Sequence, residues 1–237
     1  MPIQLQKLFT LLLDLLFPIE CLGCGREGEW LCEKCNVFPA APRVCPFCHQ
    51  ANKMNTTCDA CQKEKALDAL IAVTSYQAPL VHEIIHGYKF KFWKGIYPFL
   101  GKHMARSLTE HQPTLPNAIL VPIPLHSSRL RFRGFNQSAY LSRVVAEETN
   151  LISTDALLRV KATQQQARLQ ASDRIRNLAN AFQIRPGLDF AEKSVILIDD
   201  VFTTGATLAA AAQVCKQAGA KRVWGLVFAK GLKNTDK

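Results

Sequence analysis

Residues 195–207 read Val-Ile-Leu-Ile-Asp-Asp-Val-Phe-Thr-Thr-Gly-Ala-Thr and decide the fold of this chain. The four consecutive apolar residues predict a strand that is buried on both faces, which is typical of a parallel sheet covered by helices. The polar turn that follows opens an Ala-rich helix over residues 208–218. A strand–turn–helix unit aims backbone N–H groups and a helix N-terminus at one point, and this arrangement favours an anion there.

The side chains of this turn suit a ligand with two different ends. The hydroxyls of Thr203, Thr204 and Thr207 are donors for a phosphate, and the glycine at position 205 lets the backbone approach it closely. Asp199 and Asp200 repel a phosphate and suit vicinal hydroxyls or a hydrated Mg²⁺ instead. These features together predict a ribose 5-phosphate ligand. The alternative is an ordinary α/β turn whose acids cap the next helix, whereas a P-loop is excluded because its sequence motif is absent.

The same stretch resembles, at every position, the thirteen-residue signature for 5-phosphoribosyl-1-pyrophosphate (PRPP) in the type I phosphoribosyltransferases. The resemblance implies that Asp199 and Asp200 hold the ribose hydroxyls and carry the catalytic role in an active enzyme. It also implies that residues 203–207 surround the 5′-phosphate. The residues expected to bind PRPP here are Asp199, Asp200, Val201, Phe202, Thr203, Thr204, Gly205, Ala206 and Thr207.

The positive charge of the chain is concentrated in its middle. The formal net charge is +10, yet residues 1–65 carry seven basic and seven acidic side chains. Residues 89–185 carry fifteen basic and five acidic side chains, which accounts for the whole excess. This part of the chain therefore suits a polyanionic partner, either a small molecule or a nucleic acid, and charge alone does not choose between them.

Eight of the nine cysteines form four C-x-x-C pairs, which is metal-ligand spacing and poor spacing for disulfides. A segment of about 45 residues with few large apolar side chains needs metal binding to fold. We therefore expect two structural Zn²⁺ sites. Sequential pairing of the C-x-x-C pairs into two sites is favoured, and cross-braced pairing stays open. The ninth cysteine, Cys215, is expected to be a core residue. In sequential pairing the two ligand sets are Cys21, Cys24, Cys32 and Cys35, and Cys45, Cys48, Cys58 and Cys61.

Two basic stretches interrupt an otherwise regular alternation of strands and helices. Residues 121–137 follow a predicted strand and carry Arg129, Arg131 and Arg133 before a glycine. Ligands bind beyond the carboxyl ends of strands in open α/β sheets, so we expect these arginines to face a pyrophosphate; a solvated edge is the alternative. Residues 159–177 are polar and basic, which predicts a flexible lid, with a surface helix over residues 170–178 as the competing interpretation.

The alternating elements predict a parallel sheet with helices on both faces, and hence an α/β fold. We expect an amphipathic N-terminal helix at residues 1–19, a zinc-binding module at 20–65 and the α/β domain at 66–237. The longest apolar run, residues 8–17, is too short to span a membrane, and no secretory signal is recognisable. The chain is therefore expected to be cytoplasmic, and its N-terminal helix is the segment suited to contact the inner face of the membrane.

The order of these motifs resembles the ComF family. Four C-x-x-C pairs are followed by Val-Pro-Ile-Pro, Arg-Gly-Phe-Asn-Gln, Arg-x-Lys-x-Thr-x-x-Gln and the PRPP signature. The match covers nearly the whole chain. It implies a double zinc ribbon fused to a parallel-sheet type I phosphoribosyltransferase domain. It also implies a role in natural transformation after DNA has entered the cytoplasm, with the competence helicase or other DNA-uptake proteins as partners.

Three functions remain open from the sequence. In a pentosyl-transferring enzyme of nucleotide metabolism, Mg²⁺ would bind together with PRPP, and Arg129, Arg133, Arg159 and Lys161 would neutralise the pyrophosphate. The second function is a PRPP-binding adaptor without turnover. The third is a single-stranded-DNA-binding protein, because aromatic residues interleaved with lysines can stack bases against a basic groove. An edge strand or a cluster at the end of a helix is the favoured alternative for this pattern. The residues in that pattern are Tyr88, Phe90, Phe92 and Trp93 among Lys89, Lys91 and Lys94.

Overall fold

The apolar run at residues 195–198 lies in the middle of a five-stranded sheet in the computed structural model. The strands of this sheet are β1 (Ala69–Ser75), β2 (Ala118–Pro122), β3 (Ile152–Ser153), β6 (Ser194–Phe202) and β7 (Arg222–Lys230). Their order is β1-β7-β6-β2-β3, and every pair of neighbours is parallel. The predicted parallel α/β fold class is therefore confirmed. The two strands β4 (Leu157–Arg159) and β5 (Phe182–Ile184) form a separate antiparallel ribbon.

The structure describes residues 18–52, 54–90, 93–111, 114–161 and 181–231. The helix predicted over residues 1–19 and the lid predicted over residues 159–177 fall mainly outside these ranges, and both stay predictions. The chain forms two compact units, Met1–Pro39 and Ala40–Lys237. The second cysteine set thus belongs to the same unit as the sheet, and the predicted domain boundary at residue 65 stays a prediction.

Helices cover both faces of the sheet, as the pattern of apolar residues requires. The helices are α1 (Asp59–Gln62), α2 (Pro79–Phe90), α3 (Tyr97–His111), α4 (Ser127–Arg133), α5 (Gln137–Thr149) and α6 (Ala206–Gln217), with a 3₁₀ turn at Lys94–Ile96. Val195 and Leu197 face the core that contains α6, whereas Ile196 and Ile198 are equally buried on the opposite side. On that opposite side α3 packs against α5, β1 and β7.

Cys215 lies on α6 and is fully buried in the core on that face of the sheet. Burial raises the pKa of its thiol to about 12, so the side chain is an unreactive thiol at neutral pH. The prediction that Cys215 is a core residue is confirmed. Within the described residues, no helix is long and apolar enough to cross a membrane.

The second cysteine set is connected to the sheet by backbone pairing. The N–H of Leu70 donates to the carbonyl of Asn55 over 3.1 Å, and the N–H of Thr57 donates to the carbonyl of Asp68 over 2.8 Å. Asn55 and Thr57 lie between the two C-x-x-C pairs of this set. Because β1 sits at the edge of the sheet, these bonds occupy backbone groups that would otherwise face solvent.

Candidate functional site

The two acidic residues of the turn lie at the carboxyl end of β6, in the middle of the sheet. Oδ1 of Asp199 accepts hydrogen bonds from the Ser138 hydroxyl and from the N–H of Asp200, both over 3.0 Å. Oδ1 of Asp200 lies 2.8 Å from Nζ of Lys89, and these side chains are only 7% and 24% exposed. Four side chains from three different elements, β6, α2 and the start of α5, therefore meet at one point.

Burial, together with the neighbouring Asp200 carboxylate, raises the pKa of Asp199 to about 6. The Lys89 ammonium, the N–H of Asp200 and the Ser138 hydroxyl oppose this shift. The site therefore holds two adjacent carboxyl groups with too little solvent to screen them. A ligand that brings hydroxyl donors or a cation reduces the repulsion between the two carboxylates. Asp199 and Asp200 therefore suit the diol that the sequence predicted.

The loop after β6 has the geometry expected for close approach to an anion. Gly205 is the N-cap of α6 and adopts a left-handed conformation with φ of 76°. A Cβ at this position would lie 2.3 Å from the ring of Phe202, so only glycine fits. Residues 201–208 and Asp199 enclose a depression of about 20 Å³ in front of the helix N-terminus. This depression has room for one small polar group.

A larger cavity of about 200 Å³ opens beside the carboxylates, beyond the carboxyl ends of β2 and β6. Lys89, Arg129, Arg133 and Arg159 line it together with Asp199 and Asp200. Four cationic side chains against two carboxylates give the lining a net positive charge. Burial lowers the pKa of the Arg133 and Arg159 guanidinium groups, so solvent compensates their charges only in part. The cavity is suited to a ligand with several negative charges.

The arginine stretch forms the short helix α4, and this helix decides which arginines face the cavity. Arg129 and Arg133 are one helical turn apart and both line the cavity, whereas Arg131 is exposed. The sequence predicted Arg129 and Arg133 at the pyrophosphate but no helix over these residues. The helix accounts for the difference from Arg131, since residues two positions apart point in different directions. The amide of Asn136 donates to the carbonyl of Ile123 over 3.1 Å and closes the loop that carries α4.

The structure brings together most of the residues expected at the PRPP site. Val201, Thr203 and Thr207 line the large cavity, and the remaining residues of the turn line the small depression. Lys161 is exposed and does not line either one. Sequence reasoning did not assign Lys89, Ser138 or Tyr76 to this site, although all three reach the cavity. Ser138 directly follows the Arg-Gly-Phe-Asn-Gln motif, which is the signal that could have found it.

The aromatic side chains described at residues 88, 90 and 93 differ in their exposure, which tests whether they can stack bases. Tyr88 is fully buried, and its hydroxyl donates to the carbonyl of Gln137 over 2.9 Å. Trp93 packs so closely on Gly87 that a Cβ there would lie 2.0 Å from the indole. Phe90 is 46% exposed and lies under the Arg133 guanidinium, whereas residues 91 and 92 are outside the described residues. The stacking interpretation is therefore wrong for Tyr88, because this side chain belongs to the core.

The cysteines group sequentially, as favoured from their spacing. Within each set the four sulfur atoms lie within 4.8 Å of one another. The Sγ atoms of Cys24 and Cys32 are 3.7 Å apart, and those of Cys48 and Cys58 are 3.6 Å apart. A tetrahedral zinc site with Zn–S bonds of about 2.3 Å requires sulfur atoms about 3.8 Å apart. Both sets fit structural zinc sites. They are Cys21, Cys24, Cys32 and Cys35, and Cys45, Cys48, Cys58 and Cys61.

Backbone N–H donors lower the pKa of one cysteine thiol in each set. The N–H of Cys32 donates to Sγ of Cys21 over 3.4 Å and lowers the pKa of that thiol to about 6. Burial raises the pKa of Cys45, but N–H donors that include Cys58 outweigh it, and the result is also about 6. Because thiolate is the metal-binding form, each set contains a ligand that is ready at neutral pH.

Known proteins resemble this chain over most of its length, although no protein-family model matches it. Competence protein F of Haemophilus influenzae is 34% identical, with 90% of this chain and 98% of the relative covered. DNA utilization protein YhgH of Escherichia coli K12 is 32% identical, covering 83% and 88% respectively. Competence protein ComFC of Bacillus subtilis is 25% identical, covering 91% of each chain.

Solved structures that resemble the chain include a hypoxanthine phosphoribosyltransferase from Staphylococcus aureus. It is 12% identical with a TM-score of 0.36, and the match covers 59% of this chain and 74% of that one. The assignment of the fold rests on the sheet order and on the loop after β6.

Proposed function

Since this chain belongs to the ComF family of competence proteins, we propose that it binds PRPP beside β6 and acts on DNA taken up in natural transformation. One observation carries the PRPP part. Asp199 and Asp200 stand between a glycine-containing loop at a helix N-terminus and a cavity lined by four cationic side chains. A phosphate, a diol and a pyrophosphate in this order are the three parts of PRPP.

Each part of the ligand has a matching group in the site. The loop at residues 203–207 offers backbone N–H groups and hydroxyls to the 5′-phosphate. The carboxylates of Asp199 and Asp200 accept hydrogen bonds from the ribose hydroxyls, which relieves their mutual repulsion. Arg129 and Arg133 face the pyrophosphate from α4.

Mg²⁺ is expected to enter with PRPP, and the donor set of the site fits it. Mg²⁺ is commonly held by one or two carboxylates together with substrate phosphates, and Asp199 and Asp200 supply the carboxylates. The ion would neutralise charge on the pyrophosphate. Lys89 already neutralises Asp200 from the protein side, so this lysine competes with the cation for the same oxygen.

Transfer of the phosphoribosyl group to a base is a second candidate function, because the site also suits that reaction. Departure of pyrophosphate leaves positive charge on the ribose ring, which the carboxylates of Asp199 and Asp200 would stabilise. The cations of the cavity would hold the leaving group. A screen for pyrophosphate release with PRPP and purine or pyrimidine bases distinguishes turnover from binding alone.

The role in DNA handling rests on the relatives, whose names refer to competence and to DNA utilization. We propose that PRPP binding is required for it. Transformation frequency in a naturally competent host that carries this protein, wild type or with Asp199→Asn/Asp200→Asn, tests the connection. Single-stranded DNA and the competence helicase stay the predicted macromolecular partners.

Thermal unfolding with Mg²⁺ and PRPP is the direct test of the site. Ligand at 100 times its dissociation constant stabilises a protein by about 2.7 kcal/mol, which raises Tm by about 5–11 °C for a chain of this size. We expect this shift in the wild type and its loss in Asp199→Asn/Asp200→Asn. The matched control is Asp155→Asn, an exposed acid outside the cavity. No shift in the zinc-loaded wild type would overturn the proposal.

A further inference from the structure

The second cysteine set lies next to the phosphate loop, through one aromatic side chain. Phe47 stands between Cys45 and Cys48 in the tight turn Cys-Pro-Phe-Cys, which we term the Phe47 knuckle. Its ring packs edge-on against the ring of Phe202, with 6.0 Å between centroids and 64° between planes. Phe202 is the last residue of β6 and leads directly into the loop. The knuckle thus contacts the strand end from which the phosphate loop departs.

The two rings fill the space behind Gly205. A Cβ at that position would lie 2.3 Å from Phe202 and 2.9 Å from Cε1 of Phe47. The backbone of the loop therefore packs against the knuckle at Gly205. Glycine adopts the φ of 76° seen at Gly205 without strain, so contacts with neighbouring groups decide which conformation the loop keeps. Phe47 is one of the two side chains that supply this support.

A buried lysine connects the knuckle to the neighbouring strand. Lys230 ends β7 and is only 3% exposed, with Nζ 3.5 Å from the carbonyl of Val44, the residue before the knuckle. Lys230 pairs with Phe202 across the sheet, and the N–H of Gly231 donates to the carbonyl of Phe202 over 2.7 Å. The ammonium interacts favourably with a Cys45 thiolate and would offset part of the negative charge of a metal site there. The knuckle is thus fixed to both strands that position the loop.

Local bonds close the turn of the knuckle itself. Cys48 is exposed, and the turn is closed by short-range backbone bonds such as Cys45 N–H to the Gln50 carbonyl over 2.8 Å. Cys58 and Cys61 lie ten or more residues further along the chain, and the N–H of Cys58 reaches Sγ of Cys45 over 3.5 Å. A metal ion held by all four sulfur atoms would join the two segments more firmly, and its loss would loosen the knuckle behind Gly205.

We propose that metal at Cys45, Cys48, Cys58 and Cys61 holds Phe47 against the phosphate loop and thereby sets the affinity of the site for a ribose 5-phosphate group. This inference rests on the proposed function for its ligand, whereas the support of the loop by the knuckle is independent of it. Phe47 is a positioning residue, and the second zinc site is part of the ligand-binding apparatus. The first cysteine set belongs to the other compact unit and serves as the comparison.

The two cysteine sets provide a matched pair of variants. Cys48→Ser and Cys24→Ser each remove the exposed second ligand of the first C-x-x-C pair in their set. Zinc content is measured by mass spectrometry and ribose 5-phosphate affinity by titration calorimetry. We expect Cys48→Ser to weaken binding by about tenfold, because only about a tenth of the loops would remain in the binding conformation. Cys24→Ser should bind like the wild type. Equal weakening in both variants would overturn the proposal.

Substitution of Phe47 separates its support of the loop from the metal itself. Phe47→Ala should retain two zinc ions and still weaken ribose 5-phosphate binding by about fivefold, with Phe47→Leu in between because it refills part of the space. Unchanged affinity of Phe47→Ala with both ions bound would refute the role of the ring. If Phe47→Ala disturbs folding, Phe47→Leu tests the same role of the ring with a smaller change in volume.

Hydrogen exchange in the ligand-free protein keeps this inference separate from the proposed function. The amides of residues 203–206 should exchange faster in Phe47→Ala and in Cys48→Ser than in the wild type, while β2, which pairs with β3 and β6, stays protected. Unaltered exchange in the loop would overturn the support by the knuckle whatever the ligand is. If the wild type binds neither PRPP nor ribose 5-phosphate but the exchange changes as expected, the proposed function fails and the support by the knuckle stands.

Discussion

Replacement of Asp199 by asparagine should stabilise the ligand-free protein at neutral pH, although it removes a proposed ligand-binding group. Oδ1 of Asp199 accepts hydrogen bonds from Ser138 and from the N–H of Asp200, and an amide oxygen can accept both. Asparagine therefore removes the charge and keeps the contacts. That charge is unfavourable here, because burial and the Asp200 carboxylate raise the pKa of Asp199 to about 6.

The size of the effect follows from the pKa of the folded and unfolded protein. A carboxyl with an ordinary pKa of 3.8 that rises to about 6 on folding loses about 3 kcal/mol, at 1.36 kcal/mol for each unit. Because the folded state binds the proton more tightly, the contribution of Asp199 to stability is greatest below pH 4 and falls between about pH 4 and 6. It stays low above pH 6. An asparagine side chain does not titrate, so the advantage of the variant over the wild type develops between about pH 4 and 6 and is complete above pH 6.

The assay is thermal unfolding of wild type and Asp199→Asn between pH 5 and pH 8, without ligand. A gain of about 3 kcal/mol corresponds to a Tm increase of about 6–12 °C at pH 8, and the difference should shrink toward pH 5. Asp155→Asn, an exposed acid, serves as the control and should show no such pH-dependent gain. A variant that is less stable than the wild type at pH 8, or that keeps the wild-type slope of Tm against pH, would refute the reasoning. A gain in stability with loss of ligand binding is the usual trade-off at a functional site.

Three further substitutions test individual contacts of the site. Lys89→Met should lower the free energy of unfolding, measured in urea, by about 3 kcal/mol, because it leaves the Asp200 carboxylate buried without its partner. Adding Asp200→Asn should restore most of that stability. If the effects of the two substitutions simply add, the ion pair is not coupled. Gly205→Ala should abolish the Tm shift with PRPP, because alanine disfavours a φ of 76° and its Cβ would clash with Phe202. A normal Tm shift would contradict this conformation of the loop after β6. Tyr88→Phe should lower the free energy of unfolding by about 1 kcal/mol because the Gln137 carbonyl loses its buried donor, and an unchanged free energy would argue against that hydrogen bond.

Much of the site could be predicted because its signals are local. The strand at residues 194–202, the turn after it and the helix that follows are contiguous, so hydrophobic pattern, glycine and hydroxyl positions all fall within one stretch. The cysteines are likewise close in sequence, and their C-x-x-C spacing already fits a tetrahedral metal site. The sequential grouping of the cysteines could be predicted because the four ligands of each set lie within 17 residues of one another in the chain.

The order of residues along the chain is thus enough to specify the parallel α/β core, the anion-binding turn with its two carboxylates, and two Cys₄ sets. Only the folded arrangement reveals that Lys89 neutralises Asp200 and that Phe47 stands behind Gly205. The same holds for the helical form of residues 127–133, which places Arg129 and Arg133, the two arginines predicted at the pyrophosphate, on the cavity side. Lys89 and Phe47 are more than 100 residues from their partners in the chain. Their contacts depend on the order β1-β7-β6-β2, which places distant segments side by side, and a pattern along the chain carries no information about which strands become neighbours.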